Sequence, residues 1–151
     1  ELGCLGYADS DDQAVFYRTT TKPHTQDAEF DIDSVHTLPR VDIAYAYAGA
    51  DGLLVRALVD AGVAGIVAGG LGSGGSPSKM MAALKAAAQS GVPVVIATQT
   101  GNGRVVRTRR YDEDGYIVAD NLSPKKTRIL LMMALTKTKD PEEIQRMMLT
   151  Y

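Results

Sequence analysis

A chain of 151 residues with 45% hydrophobic side chains is long enough to build the core of one domain. Its 16 basic and 18 acidic side chains nearly cancel, leaving a formal net charge of -2, so no broad electrostatic field favours nucleic acid or an anionic membrane. No apolar run approaches the roughly 20 residues that span a bilayer. We therefore expect no nucleic acid and no membrane among the partners, and a small neutral or zwitterionic ligand instead.

The first 39 residues differ from the rest in their pattern of apolar and polar residues. Apolar alternation around residues 14–18 and a polar stretch through His24 predict a β-hairpin followed by a connecting loop. The single cysteine, Cys4, permits no disulfide inside the chain, and we assign it no role. We predict two parts: residues 1–39, a hairpin and interdomain linker that end an N-terminal domain, and residues 40–151, a C-terminal α/β domain.

From residue 41 onward, short β-branched or apolar runs alternate with longer Ala/Leu-rich runs, which is typical of βαβ units on a parallel sheet. The predicted strands are residues 41–45, 65–68, 92–98 and, as a short fourth strand, 116–119. The predicted crossover helices are residues 51–61, ended by Gly62, and 77–90, ended by Gly91. Two more helices are expected after Ser123-Pro124 and Asp140-Pro141, since each pair places an N-cap before a proline. The predicted fold class is α/β, a parallel sheet of about four strands flanked by helices and preceded by the hairpin and linker.

The glycine-rich segment 69–76 lies directly between a predicted strand and a predicted helix. In an open α/β sheet the ligand crevice lies at the carboxyl ends of the strands, where such a loop lets backbone N–H groups approach a ligand or another subunit. Amides at the following helix N-terminus favour a carboxylate or phosphate. A dinucleotide site fits poorly because no acidic residue ends the next strand, 92–98. A turn that serves close packing stays an alternative.

Few residues of the sequence are candidates for catalysis or for metal binding. His24 and His36 both lie in the predicted linker, and neither sits near a strand end with a serine and an acid. No paired His or Cys spacing predicts a metal site, and we expect no cofactor. The acidic run 112–114 can supply a carboxylate, but such runs are usually solvated turns, here with the arginines of residues 104–110 as partners.

The start of the predicted sheet carries Leu38-Pro39, Val41-Asp42-Ile43, Tyr45 and Tyr47. In these residues the sequence resembles the C-terminal domain of type II bacterial L-asparaginases and glutaminase-asparaginases. Further matches follow in the family's order: His24-Thr25, Phe30-Asp31, Asp60-Ala61-Gly62, Gly65-Ile66-Val67 with the glycine loop, Thr100-Gly101-Asn102-Gly103, Leu122-Ser123-Pro124, Ala134-Leu135-Thr136, Asp140 and Tyr151. The resemblance covers nearly the whole chain.

The resemblance implies a Rossmann-like domain of an amidohydrolase that converts L-asparagine, and in some members L-glutamine, to the acid and ammonia. In that family the nucleophilic threonines belong to an N-terminal catalytic domain, so we expect no catalytic residue here and no activity from this chain alone. It also implies a homotetramer built as a dimer of dimers, in which this domain closes the neighbouring subunit's site. A type II member is expected in the periplasm or outside the cell, with the cytoplasm as the alternative.

Two positions of the family's C-terminal domain reach the neighbour's substrate. The first is an Asn or Ser after a Gly-x-Gly, which falls on Gly75 here, so the usual side chain is missing unless Ser76 replaces it. The second is a Glu before the Leu-x-Pro helix; an ungapped count gives Thr108, and Glu113 serves only if the loop is shifted. The resemblance thus predicts Gly75, Ser76 and Glu113 as substrate-binding residues. The alternative function is a non-catalytic oligomerisation or small-anion-binding α/β module.

Overall fold

The computed structural model describes residues 5–8, 14–16 and 18–151, which form two sheets with helices around the larger one. The strands are β1 (Gly6–Ala8), β2 (Ala14–Phe16), β3 (Val41–Tyr45), β4 (Gly65–Gly70), β5 (Val94–Thr98) and β6 (Ile117–Val118). The helices are α1 (Leu53–Asp60), α2 (Ser78–Gln89), α3 (Arg109–Glu113), α4 (Pro124–Ala134) and α5 (Pro141–Thr150), with single 3-10 turns at Thr25–Asp27 and Ile32–Ser34.

The small sheet is the predicted hairpin. Strands β1 and β2 pair antiparallel, with Gly6 opposite Phe16. Cys4, and Tyr17 within the alternating run 14–18, lie outside the described residues.

The main sheet has the order β3-β4-β5-β6, and every pair in it is parallel. Its register aligns Ile43, Val67, Val95 and Ile117 across all four strands. The predicted α/β fold class is confirmed. Because the strands are parallel, all their carboxyl ends meet at one edge of the sheet.

The core lies in two layers, one on each face of the sheet. Strands β4 and β5 are buried along their whole length, as expected for central strands covered on both sides. Successive residues point to opposite faces, so Ile66 packs with α1 and α2 while Val67 packs with α4 and α5. The helices on both faces therefore hold the sheet as the middle of three layers.

Three details differ from the prediction. Helix α3 occupies a segment read as a loop, because Thr108 caps it by accepting a hydrogen bond from the backbone N–H of Tyr111. The third strand of the main sheet begins at Val94, after Pro93, which has no N–H for the ladder. Ser123 precedes α4 as predicted, but its side chain forms no cap bond.

Candidate functional site

The carboxyl edge of the main sheet is formed by the loops that follow β3, β4, β5 and β6. Gly69 and Gly70 of the predicted glycine segment belong to β4, so the glycine loop begins at Leu71. The loop after β5 runs from Gln99 to the cap of α3. Open parallel sheets bind ligands at this edge because the strand ends and loop amides converge there. We therefore take this edge as the candidate site.

The glycine loop closes on itself. Leu71 and Gly75 form an antiparallel bridge, with each N–H donating to the other's carbonyl at 2.7 Å, and the N–H of Gly74 donates to Leu71 O at 3.0 Å. Gly74 is buried with φ +98, and a Cβ there would lie 2.7 Å from Cγ2 of Ile96. Glycine is required at this position for both reasons. The amides of Gly74 and Gly75 are engaged within the loop, so they are not available to cradle a phosphate.

The predicted substrate residues Gly75 and Ser76 lie at the end of this loop. Gly75 is exposed, its backbone is outside the left-handed region, and a Cβ there would meet only Leu71 O, at 3.4 Å. The hydroxyl oxygen of Ser76 is buried and has no hydrogen-bond partner among the described residues. A buried polar atom without a hydrogen-bond partner destabilises the folded state. The Ser76 hydroxyl is therefore free to bond a group from outside the described residues.

A buried threonine supports the loop from the neighbouring strand. The hydroxyl of Thr98, the last residue of β5, donates to Gly72 O at 2.6 Å and lies 2.7 Å from the hydroxyl of Thr100. The sequence analysis missed this contact, which joins residues 26 positions apart. The available signal was a polar residue that ends an otherwise apolar strand.

Gln99, the residue after Thr98, links the ends of three strands. Nε2 of Gln99 donates to Ala46 O at 2.8 Å and to Gly69 O at 3.2 Å, while its backbone N–H donates to Gly70 O at 2.9 Å. Both side-chain contacts are carbonyl oxygens, so the amide nitrogen must face them. Gln99 thereby fixes the loop after β3 and the end of β4 relative to β5.

The third predicted substrate residue, Glu113, lies on α3, which leads into the amino end of β6. Its carboxylate accepts from Arg109 Nε at 2.8 Å, and both side chains are exposed. Gly75, in contrast, follows the carboxyl end of β4. Within the described part of the chain, no hydrogen bond or ion pair joins Glu113 to the glycine loop.

A salt-bridged arginine secures the loop before α3. Arg107 donates to Asp112 and, at 3.0 Å from Nη1, to the carboxylate of Glu142 on α5. The hydrogen bond from Arg107 holds the pKa of Glu142 below its usual value of 4.5, and the hydrogen bonds to Glu142 and Asp112 raise the pKa of Arg107. Two of the arginines predicted to pair with the acidic run do so.

A residue with positive φ lies two positions after β6. Asp120 has φ +52, a left-handed conformation that non-glycine residues adopt rarely. Its backbone bridges to Val105, and its carboxylate accepts from Arg104 Nε at 2.5 Å. Strained backbone often marks functional edges, and the surrounding contacts hold it in place here.

The histidines lie away from this edge. Nδ1 of His24 is 3.3 Å from the hydroxyl of Thr25 in the linker, and His36 lines a surface cavity of about 330 Å³ with Asp31 and Lys137. Neither histidine is hydrogen-bonded to a serine or an acid among the described residues. The same residues contain no cluster of three or more His, Cys, Asp or Glu side chains that could hold a metal ion.

Within residues 5–8, 14–16 and 18–151, we find no helix long and apolar enough to cross a membrane.

These features define an α/β domain with a parallel sheet, a glycine loop at the ligand edge and helices on both faces. The model of the glutaminase/asparaginase C-terminal domain matches residues 40–148. The chain belongs to this family, as its resemblance predicted.

Individual relatives agree with the family. The chain is 38% identical to "L-asparaginase 2" of Escherichia coli K12 over 99% of its length and 43% of that protein, and 39% identical to a "Glutaminase-asparaginase" of Pseudomonas fluorescens over 92% and 39%. A "Probable L-asparaginase periplasmic" of Haemophilus influenzae is 35% identical over 95% of the chain and 42% of that protein. A crystal structure of a "Probable Cytoplasmic L-asparaginase" from Campylobacter jejuni superposes with a TM-score of 0.92, at 38% identity, over 97% of the chain and 47% of that structure. The chain spans less than half the length of these relatives and corresponds to their C-terminal part.

Proposed function

We propose that the protein containing this chain hydrolyses the side-chain amide of L-asparagine, with L-glutamine as a second substrate, to the acid and ammonia. The observation that supports this most directly is the match of nearly the whole chain to the C-terminal part of L-asparaginases, together with a fold at TM-score 0.92. The reaction adds one water molecule across the amide bond and releases the nitrogen as ammonia. No redox partner is needed.

This domain would shape the pocket, and the attacking hydroxyl would come from an N-terminal catalytic domain. The described residues show a carboxyl edge with a closed loop and fixed strand ends. Their hydrogen bond between a threonine and a histidine, Thr25 with His24, is exposed and lies between β2 and β3 in the chain, not in a loop of that edge. Nucleophilic attack needs a hydroxyl activated by a neighbouring base. We therefore expect the chain alone to be inactive.

The carboxyl edge also carries apolar side chains suited to a subunit interface. Tyr47, in the loop after β3, is 63% exposed, Leu71, in the loop after β4, is 50% exposed, and Leu53 at the start of α1 is 64% exposed. Grouped exposed apolar residues of this kind mark interaction surfaces. We propose that this edge meets the catalytic domain of a neighbouring subunit, in a homo-oligomer arranged as a dimer of dimers.

Three residues are proposed to contact the substrate of that neighbour. Ser76 is supported by its unpaired buried hydroxyl. Gly75 contributes no side chain and leaves space beside Leu71 O, which widens the pocket wall. Glu113 would have to leave Arg109; the pair is exposed, so breaking it costs little.

The test is ammonia release from asparagine and from glutamine by the intact protein and by the 151-residue chain. We expect release by the intact protein and none by the chain. Activity of the isolated chain, or an inactive intact protein, would contradict the proposal. The variant Ser76→Ala should raise KM by about fivefold, whereas Ser73→Ala on the exposed part of the same loop should not.

For the isolated chain, the second candidate is an oligomerisation module, which the exposed apolar edge favours. Sedimentation of the chain distinguishes a monomer from self-association. A small-anion site at the glycine loop is less favoured because the amides of Gly74 and Gly75 donate to Leu71 O. Unchanged amide shifts of the loop on titration with inorganic phosphate would remove that alternative.

Two further proposals concern organisation. We place the division between linker and α/β domain at residues 39 and 40, and we expect residues 40–151 alone to unfold cooperatively. From the type II resemblance we propose a periplasmic or secreted location, although relatives with either compartment in their names are similar to this chain. Fractionation of the source cells tests the location.

A further inference from the structure

The hydroxyl group of Thr98 is buried at the point where β5 meets the glycine loop. Only 3% of the residue is exposed. Its Oγ1 lies 2.6 Å from Gly72 O, 2.7 Å from Oγ1 of Thr100 and 3.1 Å from the backbone N of Thr100. A threonine hydroxyl has one proton to donate and two lone pairs to accept with, so three partners saturate it.

The position of each proton follows from these partners. Gly72 O is only an acceptor, so Thr98 must donate its single proton there; otherwise two oxygens would face each other at 2.6 Å without a hydrogen. The backbone N–H of Thr100 is only a donor, and it takes one lone pair of Thr98. Two hydroxyl protons serve three oxygen–oxygen contacts, so they lie in the two shortest ones, and the hydroxyl of Thr100 donates to the second lone pair of Thr98 at 2.7 Å. Its longer contact, to Asn102 O at 3.0 Å, shares the same proton.

The glycine loop is held against β5 by the packing of the buried Gly74 on Ile96 and, among the hydrogen bonds of the described residues, by the contact of Thr98 with Gly72. Gly72 has φ +53, is exposed, and a Cβ there would meet nothing within 4 Å. Glycine-rich segments lose much conformational freedom on ordering, so such a loop stays ordered only where contacts hold it. The bridge between Leu71 and Gly75 closes the loop, but it does not join it to the neighbouring strand.

We propose that Thr98 is a positioning residue, whose hydroxyl fixes the glycine loop, and with it Gly75 and Ser76, against β5 through the carbonyl of Gly72. The catalytic part of this inference rests on the proposed function, in which that loop is a wall of the substrate pocket. Gln99 acts beside it by holding the ends of β3 and β4. Thr98 itself is too deeply buried to touch substrate.

The first test uses the 151-residue chain and the near-isosteric variant Thr98→Val. We expect shifted amide resonances and faster hydrogen exchange at Gly72, Gly74 and Gly75, and restoration of both by Thr98→Ser, which keeps the hydroxyl. The matched control is Thr127→Val, since Thr127 is also buried and donates only to backbone oxygens at the start of α4. Loop resonances that do not change in Thr98→Val, or that change equally in Thr127→Val, would overturn the inference.

The second test uses the intact protein. Thr98→Val should lower kcat/KM by about tenfold, mainly through a higher KM, because a misplaced wall weakens binding. Thr98→Ser should recover most of the lost kcat/KM, and Thr127→Val should not change KM. If the wild type hydrolyses asparagine and Thr98→Val matches it, the positioning role fails while the proposed function stands. If the wild type releases no ammonia, the proposed function and the catalytic consequence both fail, and the amide spectra alone decide whether Thr98 holds the loop.

Discussion

The phenolic oxygen of Tyr151 accepts a hydrogen bond at 2.8 Å from the backbone N–H of Glu29, 122 positions earlier in the sequence. The rings of Phe30 and Tyr151 lie 5.2 Å apart between centroids, in a tilted arrangement. Lys22 Nζ donates to the backbone oxygen of Tyr151 at 3.1 Å. One aromatic residue after α5 thus fastens the linker to the α/β domain at three points.

Replacing Tyr151 with phenylalanine tests this fastening. The variant keeps the ring contact and removes the hydroxyl that accepts from the N–H of the half-buried Glu29. We expect the free energy of unfolding to fall by about 1 kcal/mol and the Glu29 amide to exchange faster. Urea unfolding and hydrogen exchange measure these changes. The same change at the exposed Tyr47 is the control, and an equal loss of stability there would show that the Tyr151 contact is not responsible.

An ion-pair cluster at the same place predicts sensitivity to acid. Nη2 of Arg146 lies 2.8 Å from the carboxylate of Glu29 and 2.7 Å from that of Glu143. Its hydrogen bonds hold the pKa of Glu143 below the usual 4.5. A lowered folded-state pKa gives stability that is present above the unfolded-state pKa and is lost as the pH falls through the folded-state value.

The prediction is therefore a loss of stability below about pH 4.5 that Glu143→Gln reduces, since glutamine does not titrate. Urea midpoints at about pH 7 and about pH 3 measure it in both proteins. Because the ion pair of Arg146 and Glu143 is exposed, about 1 M salt should reduce the difference in acid sensitivity between the wild type and Glu143→Gln. Equal acid sensitivity of the wild type and the variant would rule out a contribution from Glu143.

The buried amide of Gln145 acts as a substitute strand partner. Its Oε1 accepts from Val118 N at 2.9 Å and its Nε2 donates to Val118 O at 3.1 Å, which satisfies the outer edge of the short strand β6. Gln145→Met has similar volume but leaves both backbone groups unpaired. We expect a loss of about 2 kcal/mol, measured by urea unfolding. The control is Gln89→Met, at an exposed glutamine. If Gln145→Met loses no more stability than this control, the interpretation is contradicted.

The sheet could be predicted from the sequence because its signals are local. The run of residues 41–45 matches β3 at both ends, and Gly62 and Gly91 end their helices with positive φ as expected. Helix α3 was missed because only five residues form it and because its cap, Thr108, lies among charged residues that suggest a solvated turn. Short capped segments carry too little periodicity to be recognised.

The supports of the candidate site were missed for a different reason. Thr98, Gln99 and Gln145 act through side-chain bonds to distant backbone atoms, between residues 26 to 53 positions apart. Such contacts leave no periodic pattern, and they can be assigned only after the strand order places the loops side by side. The glycine loop itself was located correctly, since glycines between a strand and a helix are a local signal.

The packing between α4 and the sheet predicts that the stability of the fold depends strongly on Leu131. Leu131 is fully buried, and a Cβ at Gly65 of β4 would lie 3.0 Å from its Cδ2, so helix and sheet approach closely there. Leu131→Ala should cost about 3 kcal/mol, because it removes buried contacts and leaves a cavity. Ile129→Ala on the exposed face of α4 should cost less than about 1 kcal/mol. Thermal unfolding compares the two variants, and similar losses would contradict the packing.

Adjacent glycines of the loop give the last prediction. Alanine at Gly74 must adopt φ +98 and place its Cβ 2.7 Å from Ile96 and 3.1 Å from Val105. We expect a cost of about 2 to 4 kcal/mol from strain and overpacking. Alanine at Gly75 meets only Leu71 O at 3.4 Å, outside the left-handed region, and should change stability by less than about 0.5 kcal/mol.

Urea unfolding of Gly74→Ala and Gly75→Ala measures this difference directly. If Gly75 tolerates alanine, then Gly75→Asn should fold as well, and its asparagine would project from the loop at the position that the proposed function assigns to a substrate contact. In the intact protein that variant should change KM for asparagine without a change in the midpoint of unfolding. A large stability loss in Gly75→Ala would mean that the loop packs more tightly than its open surroundings indicate, and that position 75 is glycine for a structural reason.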